Sequence, residues 1–290
     1  MFTKILFYGV IKPLSYLPYP ILYGISNFLY VVFFYVVGYR KNVVLNNLQN
    51  SFPNKTTTEI NTIAKGFYKH FADLIVESVK LFSISQKNIS KRFTVNNPEV
   101  LNAYADSKQS IILVGGHYNN WEMLAVGIDH QIKHQSVGLY TKLSNPFFEK
   151  MMLESRSKFG LRMVRTKQTS RYFEEDSANN TVTIFGADQS PTYNKNVYWT
   201  TFLNQETAVA FGTERYAKKF NYPVLFGSIH KVKRGYYSFD VQLITENPLE
   251  TEDGYITEQH TRMLENQINQ EPSYWLWTHK RWKRKRKNSV

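Results

Sequence analysis

The chain of 290 residues contains no cysteine. That excludes disulfides, a thiolate nucleophile and cysteine-ligated zinc, and leaves a reducing compartment allowed. Acids are also scarce, 23 against 36 Lys and Arg, so the net charge of +13 calls for an anionic partner: nucleic acid, a membrane surface or an acidic substrate. Charge of either sign is missing altogether from Pro13 to Tyr39. Also missing are G-x-S-x-G, a P-loop and H-E-x-x-H, and with them the usual serine-hydrolase, nucleotide and zinc-protease signatures. Internal repeats and low-complexity linkers are absent too. What is abundant is aromatic: 20 Tyr and 20 Phe in a chain that is 42% hydrophobic, too apolar for disorder.

The uncharged stretch holds "ILYGISNFLYVVFFYVVG" (Ile21 to Gly38), apolar enough for a helix that crosses or deeply enters a bilayer. A cleaved signal peptide fits poorly, because "YRKNVV" follows in place of a small-x-small site. The other reading is a hairpin of core helices broken at Pro18 and Pro20. Lys4 and Lys12 balance Arg40 and Lys41, so orientation is not readable. At the far end "YWLWTHKRWKRKRK" (Tyr274 to Lys287) interleaves Trp275, Trp277 and Trp282 with cations. Beside an apolar N-terminus this reads as attachment to an anionic membrane surface. No zinc finger or RNP-type motif accompanies it, so nucleic acid is not expected as the partner.

Between these ends strand-like and helix-like runs alternate. "KTTTEINTIAKGFYKHFADLIVESVKLF" is a long amphipathic helix with Thr58 as its N-cap. "SIILVGG" precedes the helical "NWEMLAVGIDH", "SVGLYT" precedes "PFFEKMMLESRSKFG", and "LRMVR" precedes a polar helix ending near Asn179, followed by "TVTIFGA". "ETAVAFGTERYAKKF" reads as helix, "YPVLFGSIHKV" and "YSFDVQLIT" as strands, and "ITEQHTRMLENQINQ" as a final helix. The pattern predicts an α/β fold: a mixed central sheet flanked by helices on both faces, with an N-terminal hydrophobic membrane-anchor helix. Residues 1–45 are expected to be the anchor, and 46–290 one catalytic domain with a basic tail.

The informative stretch is "GGHYNNWE", Gly115 to Glu122, where a buried strand ends in two glycines and a histidine. Reactive groups of open α/β sheets sit at such strand ends. The glycines let the chain turn and leave N–H groups unobstructed. Five positions separate His117 from Glu122, about 140° on a continuous helix, so the two meet only with the histidine on the preceding loop. His260 and Glu265 repeat that spacing mid-helix in a polar stretch, and are read as a solvated surface. A neutral imidazole backed by a carboxylate takes a proton from a hydroxyl. With no internal nucleophile, that hydroxyl belongs to the substrate, and direct acyl transfer to an alcohol fits. A histidine that merely ties down the turn remains the alternative.

These residues resemble those of the glycerolipid-type acyltransferases, whose signature is H-x-x-x-x-[DE] after an apolar strand. Nearly the whole chain is similar to their lipid A branch, the late lauroyl/myristoyl acyltransferases of Gram-negative bacteria. The similarity runs through "YRKNVVLNNLQNSFP", "GGHYNNWE", "YTKLSNPFFEKMMLESRSKFG", "GADQSP", "ETAVAFGTERYAKKFNYPV" and "EPSYWLWTHKRWK". The resemblance implies His117 and Glu122 as the catalytic pair, with Arg156 and Asp188 toward substrate; Gln189 beside Asp188, which can hydrogen-bond an acceptor or the chain, and Asn120 and Lys142 are further substrate-binding candidates. Lys142 departs from the family's usual Y-R-P, its cation displaced by one position. Gly116 is the candidate oxyanion donor. The implied donor is a fatty acyl thioester on acyl carrier protein, the acceptor a lipid A precursor, and the place the cytoplasmic face of the bacterial inner membrane; no metal or cofactor is called for. Another glycolipid or phospholipid acceptor is the alternative. So, from a different class, is a non-enzymatic membrane-tethered lipid- or nucleic-acid-binding protein.

Overall fold

Alternation along the chain becomes alternation in space. The computed structural model describes residues 1–175, 178–192 and 196–286. The first segment is helical, with Phe2–Leu6 (α1), Lys12–Tyr16 (α2) and Tyr19–Val31 (α3), and π-helical turns at Phe7–Ile11 and Val32–Val36. Lys41–Ser51 (α4), Thr57–Leu81 (α5) and Gln86–Ser90 (α6) follow. Then come Phe93–Val95 (β1), Pro98–Asp106 (α7), Ile111–Gly115 (β2), Trp121–Gly127 (α8), Gln135–Tyr140 (β3) and Pro146–Ser157 (α9). Arg162–Arg165 (β4), Thr169–Glu175 (α10) and Thr181–Gly186 (β5) lead to the hairpin Val197–Phe202 (β6) and Gln205–Ala210 (β7). Gly212–Phe220 (α11), Val224–Lys233 (β8), Tyr236–Thr245 (β9) and Tyr255–Gln270 (α12) complete the domain. The polar helix expected to reach Asn179 is described to Glu175; residues 176–177, and Lys287 of the basic run, lie outside the described residues.

Among the described residues the main sheet has seven strands in the order β1-β9-β8-β2-β5-β3-β4. Neighbours are parallel except β8 and β9, so the expected mixed α/β sheet is present. Successive strand side chains face opposite sides. In β2, Ile112 and Val114 enter one buried cluster with Phe67, Phe226 and Leu264, while Ile111 and Leu113 enter the other with Phe93, Met123 and Phe239. A strand covered on both faces must be apolar at every position, which is why this run shows no alternation.

Two local expectations are corrected. "ETAVA" is strand, with helix only from Gly212: Thr207, Ala208 and Val209 are small, buried and paired with β6. The Trp-rich C-terminal stretch is core, because Trp275, Trp277 and Trp282 are 1%, 0% and 8% exposed. Trp275 and Trp277 meet edge to face at 4.8 Å, and the Trp282 indole donates to Thr207 Oγ1 at 2.7 Å. The expected membrane-facing aromatics therefore face inward, while cations between and beyond them, among them Lys280 and Lys283, meet solvent.

The helical run breaks at Leu17 and Pro18, both extended, and Pro18 and Pro20 begin α3 at its N-cap and first turn. Tyr19–Val36 is long and apolar enough to cross a membrane. One of its faces is polar and docked, since Ser26 Oγ donates to Asp73 Oδ1 at 2.6 Å and Tyr23 Oη to Glu77 Oε1 at 2.9 Å, both on α5. The opposite face leaves Ile21, Phe28, Val31 and Tyr35 exposed.

Helix α5 is capped by Thr56, one residue before the helix, and Thr58 lies inside its first turn. Thr56 Oγ1 accepts from the Glu59 amide, and the Glu59 carboxylate accepts from the Thr56 amide at 2.8 Å, a reciprocal capping box. Thr56→Ala is expected to lower the unfolding midpoint by about 2 °C, and Thr58→Ala to leave it unmoved, as read by calorimetry.

Candidate active site

The parallel register of β2 on β5 assembles the site. Gly115 lies opposite Gly186, so His117 and Asp188, each two residues past its strand, leave the sheet side by side. Ala187 N–H donates to Gly115 O at 3.0 Å and holds the two exits together. Asp188 Oδ2 accepts from the His117 amide at 2.8 Å, and Asp188 Oδ1 lies 2.6 Å from His117 Nδ1. The Trp275 indole donates to Oδ2 at 2.9 Å. With a carboxylate against Nδ1 the neutral ring carries its proton there, leaving the Nε2 lone pair free. Gln189, exposed, brings its amide nitrogen 3.3 Å from that Nε2.

Electrostatics favour a charged ring. Burial opposes the imidazolium, but the charge and hydrogen bonds of Asp188, with Glu122 beyond, outweigh it and raise the His117 pKa above the ordinary imidazole value. Asp188 shows the complement. Burial disfavours its charge, yet His117 and three N–H donors hold its carboxyl below the usual carboxylate range.

Close approach, not turning, explains the glycines. Neither Gly115 nor Gly116 has a positive φ. A Cβ on Gly116 would lie 2.7 Å from a Leu264 methyl and 3.4 Å from the Asp188 carboxyl carbon, and one on Gly186 3.1 Å from His117 Cε1. The turn falls on Asn119, whose φ is 52°. Its side chain donates to Ile229 O at 2.8 Å and its amide to Tyr274 O at 3.0 Å, tying the loop to β8 and to the C-terminal segment.

The other expected site residues divide. Glu122 does not hold the imidazole by a hydrogen bond. Its two oxygens are taken by Arg156 of α9, at 2.8 Å from Nε and 2.5 Å from Nη2, and it reaches His117 through its field. Five positions along the chain placed Glu122 on α8, beside the ring; the position behind the ring went to a residue 71 positions away. Asn120 is turned inward. It is 1% exposed, with Oδ1 capping α8 at the Met123 amide and Nδ2 donating to Glu77 Oε2 at 2.6 Å. Lys142 is exposed on the loop between β3 and α9.

His260 is not a solvated residue. It is 4% exposed, and with Arg281 it lines a niche behind Asp188 that Gly115, Ala187 and Phe202 help enclose. Burial lowers its pKa to about 4, so it is neutral, and its Nε2 has no hydrogen-bond partner among the described residues. Its supposed companion Glu265 accepts from the Leu203 amide and from Arg262. Sequence reasoning also missed Trp275 and Arg281, whose setting in a cationic, aromatic run looked superficial. Truncation at a packed position leaves a void, so His260→Ala is expected to cost about 2 kcal/mol of stability, measured by chemical denaturation. An unchanged denaturation midpoint would show that the side chain is not packed as described.

No curated protein sequence matches the chain significantly. The family model for the bacterial lipid A biosynthesis acyltransferases matches residues 1–284. Of the functional classes open at the outset, this sets aside a non-enzymatic binding protein. The chain, matched over nearly all of its 290 residues, belongs to the bacterial lipid A biosynthesis acyltransferase family and is an acyltransferase.

Proposed function

We propose that the protein transfers a fatty acyl chain from an acyl carrier protein thioester to a hydroxyl of a lipid A precursor, with His117 as general base. The observation that carries this reading is the 2.6 Å contact of Asp188 with His117 Nδ1, which leaves Nε2 as the proton acceptor. Nε2 takes the hydroxyl proton as the oxygen attacks the thioester carbonyl. The tetrahedral intermediate collapses with loss of the carrier thiolate, which receives the proton back from the imidazolium. Asp188 stabilises the imidazolium while it exists. Glu122 adds negative field at His117, partly offset by its partner Arg156, and the Gly116 amide is the proposed oxyanion donor. Gln189 beside Nε2 and Lys142 on the neighbouring loop are the proposed headgroup contacts.

Attachment to the inner membrane, with the site on the cytoplasmic face, is part of the same proposal. The exposed apolar face of α3, together with Phe2, Ile5 and Tyr8, supports residues 1–45 as the anchor, and the net charge of +13 suits an anionic lipid surface and an acidic carrier.

Steady-state kinetics with an acyl carrier donor and a lipid A precursor test the chemistry. His117→Ala is expected to lose at least about a thousand-fold in kcat. Because the base must be neutral and its pKa is raised, kcat/KM should fall as pH drops through a value above 6.5. Asp188→Asn should move that limb to lower pH and cost about a thousand-fold or more, the ring losing its orientation and counter-charge. Glu122→Gln should cost less, about ten- to a hundred-fold, with little change in KM. A Glu122 variant more damaged than the Asp188 variant would reverse the assignment of the imidazole's partner.

A further inference from the structure

Helix α5 carries a second buried carboxylate that the chemistry above leaves unused. Glu77 is 0% exposed and, among the described residues, has no Lys or Arg within ion-pair distance. It accepts from groups on distant segments: Tyr23 Oη of α3 at 2.9 Å, Tyr237 Oη of β9 at 2.9 Å and Asn120 Nδ2 at 2.6 Å. A buried carboxylate is costly unless satisfied, so it fixes whatever satisfies it. Asn120 is the residue that closes the loop begun at His117 and opens α8, which presents Glu122.

We propose that Glu77 is a positioning residue for the reaction: through Asn120 it sets the far end of the His117 loop, and through Tyr23 it joins that loop to the apolar helix α3. This rests on the reading of His117 as the base. The groups around Glu77 fall into two sets. Tyr23, Tyr237 and Asn120 donate to it directly. Asp73, one turn earlier on α5, repels it, and Lys231 of β8 attracts it from further off. Asp73 is itself occupied by Arg234 and Ser26. Burial first, then the Asp73 charge, push the Glu77 carboxyl up to about 7, although Tyr237, Tyr23 and Lys231 favour its ionised form.

The Asn120–Glu77 bond can be broken and then remade with reversed polarity. Asn120→Asp keeps a cap oxygen for the Met123 amide but sets a second carboxyl against Glu77. Two carboxyls at hydrogen-bond distance share one proton, so the pair holds together at low pH and repels once both ionise. The ratio of variant to parent kcat should fall about a hundred-fold as pH rises from 6 to 9, at nearly constant KM. Glu77→Gln alone should be mild, about three- to tenfold, because its amide can turn its oxygen toward Asn120 and Tyr237. Combining the two lets the new amide donate to the new carboxylate, and kcat should return to within about threefold of the parent at every pH.

Should Asn120→Asp fail to fold, Asn120→Ser retains a good cap while removing the donor to Glu77, and about a tenfold loss in kcat is expected. Amide hydrogen exchange in the full chain should quicken over residues 116–123 in the Asp variant and recover in the double variant. Parent-like kcat in Asn120→Asp or Asn120→Ser, or a double variant no better than Asn120→Asp, would overturn the proposal. The two readings fail separately: activity in His117→Ala would remove the base assignment, while the exchange result would still decide whether Glu77 holds the loop.

Discussion

A buried carboxylate has to find its donors where it lies, and Asp188 finds them in three places. The His117 ring, the His117 backbone and the Trp275 indole converge on it from the end of β2 and from the C-terminal segment. Without them the charge would be lost to burial, and without the charge His117 would have neither a fixed tautomer nor a raised pKa. The same contact closes the fold. Tyr118 bridges to Trp275, and the Trp cluster packs on Phe202 of the small hairpin, so the last described segment and the first reactive loop stabilise each other.

This dependence explains what could and could not be read from the chain. Strand ends were legible because β2 is a continuous apolar run ending in glycine, and β5 is a largely buried, β-branched run that also ends in glycine. That placed His117 and Asp188 at one edge of the sheet. Their contact was not legible, since it depends on strand adjacency and on the Gly115–Gly186 register, which no local pattern encodes. Proximity in sequence favoured Glu122 instead. Glu122 is near enough to act through its field, but α8 turns its carboxylate toward Arg156.

The remaining misreadings share one cause: amphipathic residues report composition, not direction. Trp beside Arg and Lys describes a membrane-facing belt and a core edged by cations equally well, and here the indoles point inward. His260 sits in a polar helical stretch, yet the face it occupies is the one that α12 lays against the sheet, beside Thr257, Thr261 and Leu264. "ETAVA" has both helix-forming and β-branched residues, and pairing with β6 settled it. Thr56 and Thr58 both suit a cap, and the position of Glu59, three residues on, selects the first.

Asp188 and Glu77 together show how the reactive loop is held. One carboxylate grips it at His117, the other at Asn120, and the strained turn between them is pinned by Asn119 to β8 and to Tyr274. Among the described residues neither carboxylate pairs with a lysine or arginine; each is satisfied by oriented neutral donors or by the imidazole itself. Oriented neutral donors suit a site in which a proton must move. An arginine hydrogen-bonded to Asp188 would take up the negative potential that the imidazolium needs as it forms, whereas Arg281, in the niche behind, acts on Asp188 through its field. Arg156 pairs instead with Glu122, joining α9 to α8 away from the carboxylate behind the ring.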